Sequence, residues 1–194
     1  MHKFGFRIGL EFTNGDMDVK KIIFAISFMA LAGCSGQSLN SVKTYNDNFD
    51  GTKIVSIVPH GAECCLSVGA FWSAKSPDAV ILPVKLFGAY TNIQSADLNV
   101  DGKLYNLREA ADSTSYTLNG SQMIPVGAPL LQESTRGFVA PLSLVKAILA
   151  SGKTTIRVNT LSDGSVSSVI KDGTNQSKAF TALQEFIGAV DKAK

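Results

Sequence analysis

The sequence predicts an α+β domain. A mainly antiparallel sheet, bent or stacked as a β-sandwich, carries a C-terminal helix–hairpin–helix packed on it. Three observations predict this. Short β-branched or alternating apolar runs fill the region after residue 52. Tight-turn signals separate several of them, and helical spacing appears only near the C-terminus. Strands first and helices late place the helices on one side of an antiparallel sheet.

The first strand is Lys53-Ile54-Val55-Ser56-Ile57-Val58, closed by Pro59. In the second, Leu66, Val68, Ala70 and Trp72 alternate with Ser67, Gly69, Phe71 and Ser73, a period of two. Trp72 therefore belongs to the core. Ala79 to Phe87 is nearly all apolar with Pro83 inside it, which predicts an edge strand or a bulge.

Three hairpins follow. Asp101-Gly102 is a type I′ pair, setting Val100 opposite Lys103, Leu98 opposite Tyr105 and Ala96 opposite Leu107. Asn119-Gly120 sets Leu118 opposite Ser121 and Tyr116 opposite Met123. A three-residue loop, Ser162-Asp163-Gly164, sets Ile156 opposite Ile170, Val158 opposite Ser168 and Thr160 opposite Val166. A helix over Pro141 to Ala150 presents Leu142, Val145, Ile148 and Leu149, with Pro141 in its first turn and Gly152 just past its end. The last segment gathers Phe180, Leu183, Phe186, Ile187 and Val190 on one helical face.

The chain has 194 residues, 18 basic and 16 acidic side chains, and 45% apolar residues. With no clustered Lys and Arg, a nucleic-acid surface is not expected. An apolar fraction of this size, with 18% charged residues, excludes intrinsic disorder.

The N-terminal segment has its own pattern. Lys20-Lys21 precedes an apolar run, Ile22 to Ala32, too short to span a bilayer. A positive start, a short apolar stretch and small residues describe a secretory signal peptide. The run ends in Leu31-Ala32-Gly33-Cys34, which resembles the lipobox of bacterial lipoproteins. The resemblance covers about Met17 to Ser35, and Met17 makes a better start than Met1. It implies cleavage before Cys34, a diacylglycerol and further acyl chains such as palmitate on Cys34, and Ser35 as a signal for the outer membrane. Two or three acyl chains anchor stably where one does not.

The expected organisation is thus a signal peptide at 1–33, lipidated Cys34 and a polar tether at 34–48, and one domain at 49–194. Residues 34–194 carry 14 basic and 13 acidic side chains. Attachment to the membrane would therefore come from lipid rather than from a basic face.

Chemistry-bearing residues are few. Beyond the signal, His60 is the sole histidine, and no Gly-x-Ser-x-Gly elbow is present. His60, Glu63, Cys64 and Cys65 fall within six residues, read as a loop between strands. They are types that bind zinc, but the spacing matches no zinc pattern, so no metal is expected. Three states are open to Cys64-Cys65: a vicinal disulfide, which only a loop could close; two small buried side chains; or a bond between molecules. A strand starting at Cys64 would send Cys64 to the Leu66–Trp72 side. A redox pair would more ordinarily be Cys-x-x-Cys.

Ser151-Gly152-Lys153-Thr154 imitates the end of a phosphate loop but follows a helix, and Ala147 stands where the motif needs glycine, so it reads as a helix stop. Glu109 and Asp112 read as solvated charges, and Arg108 and Arg136 as members of surface ion pairs rather than an anion site.

The expected function is a lipid-anchored protein of the cell envelope, outer-membrane-bound and facing the periplasm, acting as a non-catalytic binding, accessory or structural module. No cofactor is expected. Its partners would be the membrane, through the lipid, and another envelope protein. Two alternatives stand beside this: an envelope hydrolase using His60 and Glu63, and an inhibitor or assembly factor that binds a partner at a strand edge, with the Pro83 segment as candidate.

Overall fold

A computed structural model describes residues 42–88, 91–110, 114–118, 132–162 and 164–194. Eleven strands and two helices are described: β1 (Lys43–Asn46), β2 (Lys53–Gly61), β3 (Leu66–Ser73), β4 (Ala79–Phe87), β5 (Ile93–Val100), β6 (Lys103–Glu109), β7 (Ser115–Leu118), β8 (Gln132–Pro141), α1 (Leu142–Ala150), β9 (Lys153–Thr160), β10 (Ser165–Asp172), β11 (Asn175–Gln176) and α2 (Lys178–Ala193). The domain is α+β and mainly β, with one helix at the C-terminus.

Ten strands follow one another in the order β1-β2-β3-β4-β8-β6-β5-β9-β10-β11, and β7 pairs with β8 beside this path. The pairings are antiparallel. The sheet is thus one curled, hydrogen-bonded surface. Its inner face holds the core, where Val55, Leu66, Trp72, Leu82, Phe138, Leu98 and Ile156 pack with Leu183, Phe186 and Val190 of α2. The predicted helical face of α2 is the buried one. Ser177 caps this helix, its side chain accepting the Phe180 N–H at 3.2 Å. Trp72 is core, and its Nε1 donates to Pro77 O at 3.0 Å.

A row of backbone irregularities crosses the first half of the sheet. Two residues of β2, Val58 and Pro59, oppose the single residue Gly69, since pairing shifts between Ile57 and His60. A Cβ on Gly69 would lie 2.7 Å from Ile57 O and 2.9 Å from Pro59 N, so only glycine lets the bulged strand pass. Next in the row is Pro83. It is neither on an edge strand nor in a bulge of its own: β4 lies inside the sheet, between β3 and β8. The β3–β4 ladder runs from Val68↔Val84 to Phe71↔Ile81 with no pair between, which accommodates a residue that has no N–H. Gly137 pairs with Pro83 from the other side.

The Asp101-Gly102 hairpin has the predicted register at all three pairs. Asp101 at φ 50 and Gly102 at φ 88 supply the two left-handed residues of a type I′ turn. The β9–β10 hairpin differs. Val158 faces Val166 and Ile156 faces Ser168, a register displaced by two residues from the expected one. Thr160 N and Oγ1 both bond Gly164 O, at 2.8 and 2.9 Å, so the loop closes ahead of Gly164, which takes φ 70. A bulge between Val169 and Lys171 takes up one residue of this offset, and Ile170 within it is buried.

Three further expectations need correction or limits. β1 lies in the segment read as tether, because four residues of it add to the edge of β2. Helix α1 has Pro141 in the N-cap position and ends at an extended Ser151, not a left-handed Gly152. The Asn119-Gly120 hairpin lies outside the described residues; β7 itself pairs with β8, Tyr116 opposite Ser134.

Candidate functional site

The connection from β2 to β3 runs through Ala62, Glu63, Cys64 and Cys65, and it meets the far half of the sheet. Ala62 N donates to Leu66 O at 2.9 Å. Glu63 N donates to Val169 O of β10 at 3.2 Å, and Ser168 Oγ donates to Glu63 O at 2.5 Å. The loop therefore pins β10 through Glu63's backbone. A recess of about 210 Å³ beside it is lined by Ala62, Glu63, Val169, Ile170, Asn175, Gln176 and Ser177. Its carboxylate, amides and hydroxyl suit hydrogen bonding to a small polar ligand.

His60 stands on β2, opposite Val68, rather than in the loop. Its Nε2 is enclosed and has no hydrogen-bond partner among the described residues. Burial lowers its pKa, opposed by Glu185 of α2 and aided by Lys178. The imidazole is thus held neutral, but it is not coupled to Glu63 as an acid–base pair requires.

Both thiols are free. Cys64 takes φ 54 and is exposed, while Cys65 is half-buried against the core. This reverses the expected sides, because β3 begins at Leu66 and the left-handed Cys64 breaks the alternation before it. A hydrogen bond with Cys64, followed by burial, raises the Cys65 thiol above its ordinary range. Among the described residues no group of three or more His, Cys, Asp or Glu is placed to hold a metal ion.

Arg136 was expected on the surface and is 6% exposed. It donates to Ile93 O and to Glu109 Oε2, each at 2.5 Å, and so ties β8 to β5 and β6. Alternation in β8 carries the signal for this inward position, since Arg136 shares parity with Phe138 and Ala140. Asp112 lies outside the described residues, as does Cys34. Asp101 accepts from Gly152 N at 3.3 Å and Lys153 N at 2.7 Å, occupying the amides a phosphate loop would offer.

A second groove, of about 520 Å³, separates β1 from α2 and is lined by Val42, Thr44, Lys53, Glu185, Gly188, Ala189, Lys192 and Ala193. No helix among the described residues is long and apolar enough to cross a membrane. Comparison of the chain with protein-family models, with curated proteins and with solved structures returned no match.

Proposed function

We propose that this is a lipid-anchored protein of the bacterial cell envelope, a non-catalytic binding or structural module held at the periplasmic face of the outer membrane by acyl chains on Cys34. The observation that carries this is Leu31-Ala32-Gly33-Cys34 placed directly after Lys20-Lys21 and a short apolar run. The uncoupled His60 and the backbone engagement of Glu63 favour binding over the hydrolase alternative. In this reading α1, β9, β10 and α2 form one helix–hairpin–helix unit that closes the concave side of the bent sheet.

The test is metabolic labelling with a fatty acid. The intact protein should take up label and be cut before Cys34, and Cys34→Ser should do neither. Unchanged processing in Cys34→Ser overturns the anchor.

Partner binding at a strand edge is a second reading, and it moves away from Pro83. The strand order ends at β1, whose residues Lys43–Asn46 are all exposed beside the 520 Å³ groove. Crosslinking from residue 44 should then capture an envelope protein that crosslinking from residue 83 does not; equal capture counts against the edge.

A further inference from the structure

We infer that the β1–β2 turn is a membrane-contacting finger, with Phe49 dipping into the interface of the bilayer that holds the lipid anchor. This rests on the anchor reading above and adds a contact surface to it.

Phe49 is 97% exposed, and Tyr45 on the neighbouring strand is 46% exposed. Single exposed apolar residues are ordinary on a surface. Here the turn is built to hold one out. Asp47 N donates to Thr52 O at 2.8 Å, and Gly51 N donates to Asp47 O at 2.8 Å. Phe49 N donates to Asp47 Oδ1 at 2.7 Å, and Thr52 N to Asp50 Oδ1 at 2.9 Å. Gly51 takes φ 72, a conformation that favours glycine. Lys75 pairs with Asp50, fastening the tip to the β3–β4 turn. A turn with these amides satisfied internally can enter an interface without stripping their bonds. A rigid aromatic also loses little freedom on insertion.

The surroundings suit a lipid headgroup layer. Lys53 Nζ donates to Ala193 O at 3.1 Å, which brings the C-terminal end of α2, with Lys192, to the same end of the domain. Lys53, opposite Asn46, and Lys75, paired with Asp50 and facing Asp47, therefore flank the finger, while Lys192 lines the groove beside Lys53. Aromatic residues with nearby lysines are the ordinary furniture of a membrane interface.

The tether length allows the contact. Cys34 lies eight residues before Val42. That stretch spans at most about 26–29 Å, whereas the four residues of β1 rise about 13 Å toward the tip. The anchored cysteine can therefore reach past the finger into the same bilayer.

The test uses the full lipidated chain with Phe49→Trp, reconstituted in vesicles of phosphatidylethanolamine and phosphatidylglycerol. Trp72 is buried and supplies a constant background, subtracted with the unsubstituted protein. Phe49 contributes no packing, so an unchanged Tm confirms that the variant is folded. Emission from position 49 should shift to the blue on the vesicle and be quenched by lipids brominated on their acyl chains. Water-like, unquenched emission from vesicle-bound protein overturns the finger. A blue shift without quenching, seen when envelope proteins are added instead of lipid, assigns the tip to a protein pocket and also overturns it. Loss of acyl label on Cys34 would overturn the anchor alone. The same variant mixed with preformed vesicles then decides the finger, since quenching supports it and its absence does not. In that unanchored format Phe49→Ser should weaken vesicle binding about tenfold, as expected for burying one aromatic side chain in part.

Discussion

The two halves of the curled sheet solve the same packing problem with different means. In the half formed by β2, β3, β4 and β8, curvature is accompanied by backbone irregularities in a row: the Val58-Pro59 bulge, then Gly69, Pro83 and Gly137. In the half formed by β6, β5, β9 and β10, side chains do the ordering on the outer face. Asp97 accepts from Asn106 Nδ2 at 2.5 Å and Arg157 Nη2 at 3.2 Å, and Asn159 bonds Ser95 at 2.7 Å and Ser165 at 2.7 Å. The second half also carries register shifts, between Ile93 and Ser95 and between Val169 and Lys171. The row aligned across neighbouring strands, built on a missing N–H or Cβ, belongs to the first half, and the polar side-chain ordering to the second. Arg136 joins the two.

Gly69→Ala should break this contrast most severely. Its Cβ would meet backbone atoms at 2.7 and 2.9 Å, which cannot move aside cheaply. A loss of about 3 kcal/mol is expected in urea unfolding. Gly137→Ala in the same row meets only the Ile81 side chain at 3.2 Å and Ala110 at 3.5 Å, so its cost should stay below about 1 kcal/mol. Equal costs would show that the row does not act through close backbone passage.

Arg136→Met should come next, at about 2 kcal/mol. It leaves Ile93 O without this donor, while Glu109, 42% exposed at its side chain, can turn to water. Hydrogen exchange should quicken at β5 and β6 more than at β2 and β3. Uniform quickening would deny Arg136 its role as a junction.

Asp97→Asn should cost about 1 kcal/mol, because one acceptor of a multiply bonded carboxylate becomes a donor. Its effect should be confined to the polar half, and amide chemical shifts near Gly69 should not move.

The smallest effect concerns pH. Burial lowers the His60 pKa from 6.5. The folded chain therefore resists a proton that the unfolded chain takes up, so the stability linked to His60 is present above pH 6.5 and is lost as pH falls toward the folded-state value. His60→Gln should flatten the dependence of Tm on pH in that window. An NMR midpoint at or above 6.5 would contradict an enclosed imidazole.

The hairpins show what was legible from local pattern. At Asp101-Gly102 two adjacent left-handed residues are needed, and only one register puts the apolar residues of both strands on one face. Around Gly164 a displacement by two keeps every side chain on its face, so alternation cannot choose. The left-handed Gly164 and the bulge before Lys171 chose instead. Pro83 misled for a related reason: a missing N–H rules out a regular ladder, yet the neighbouring strand opened its ladder there, something β4 alone does not encode. The candidate loop was legible as a cluster, but its clasp to Val169 and Ser168 joins residues more than a hundred positions apart. Phe49 was hidden among turn residues, Asp47-Asn48-Phe49-Asp50-Gly51, whose Asp and Gly content is the available signal.

The sequence by itself determined the periodic things: the α+β class, the apolar faces of the strands and of α2, and the type I′ turn. Each depends on spacing along the chain, which side-chain geometry reads directly. Only the tertiary structure decided that β1 joins the sheet, that Pro83 lies inside it, that Arg136 is buried and that Phe49 is held out. Those outcomes depend on which distant backbone comes alongside, and hydrogen bonding between strands carries no record in local sequence of the partner it will find.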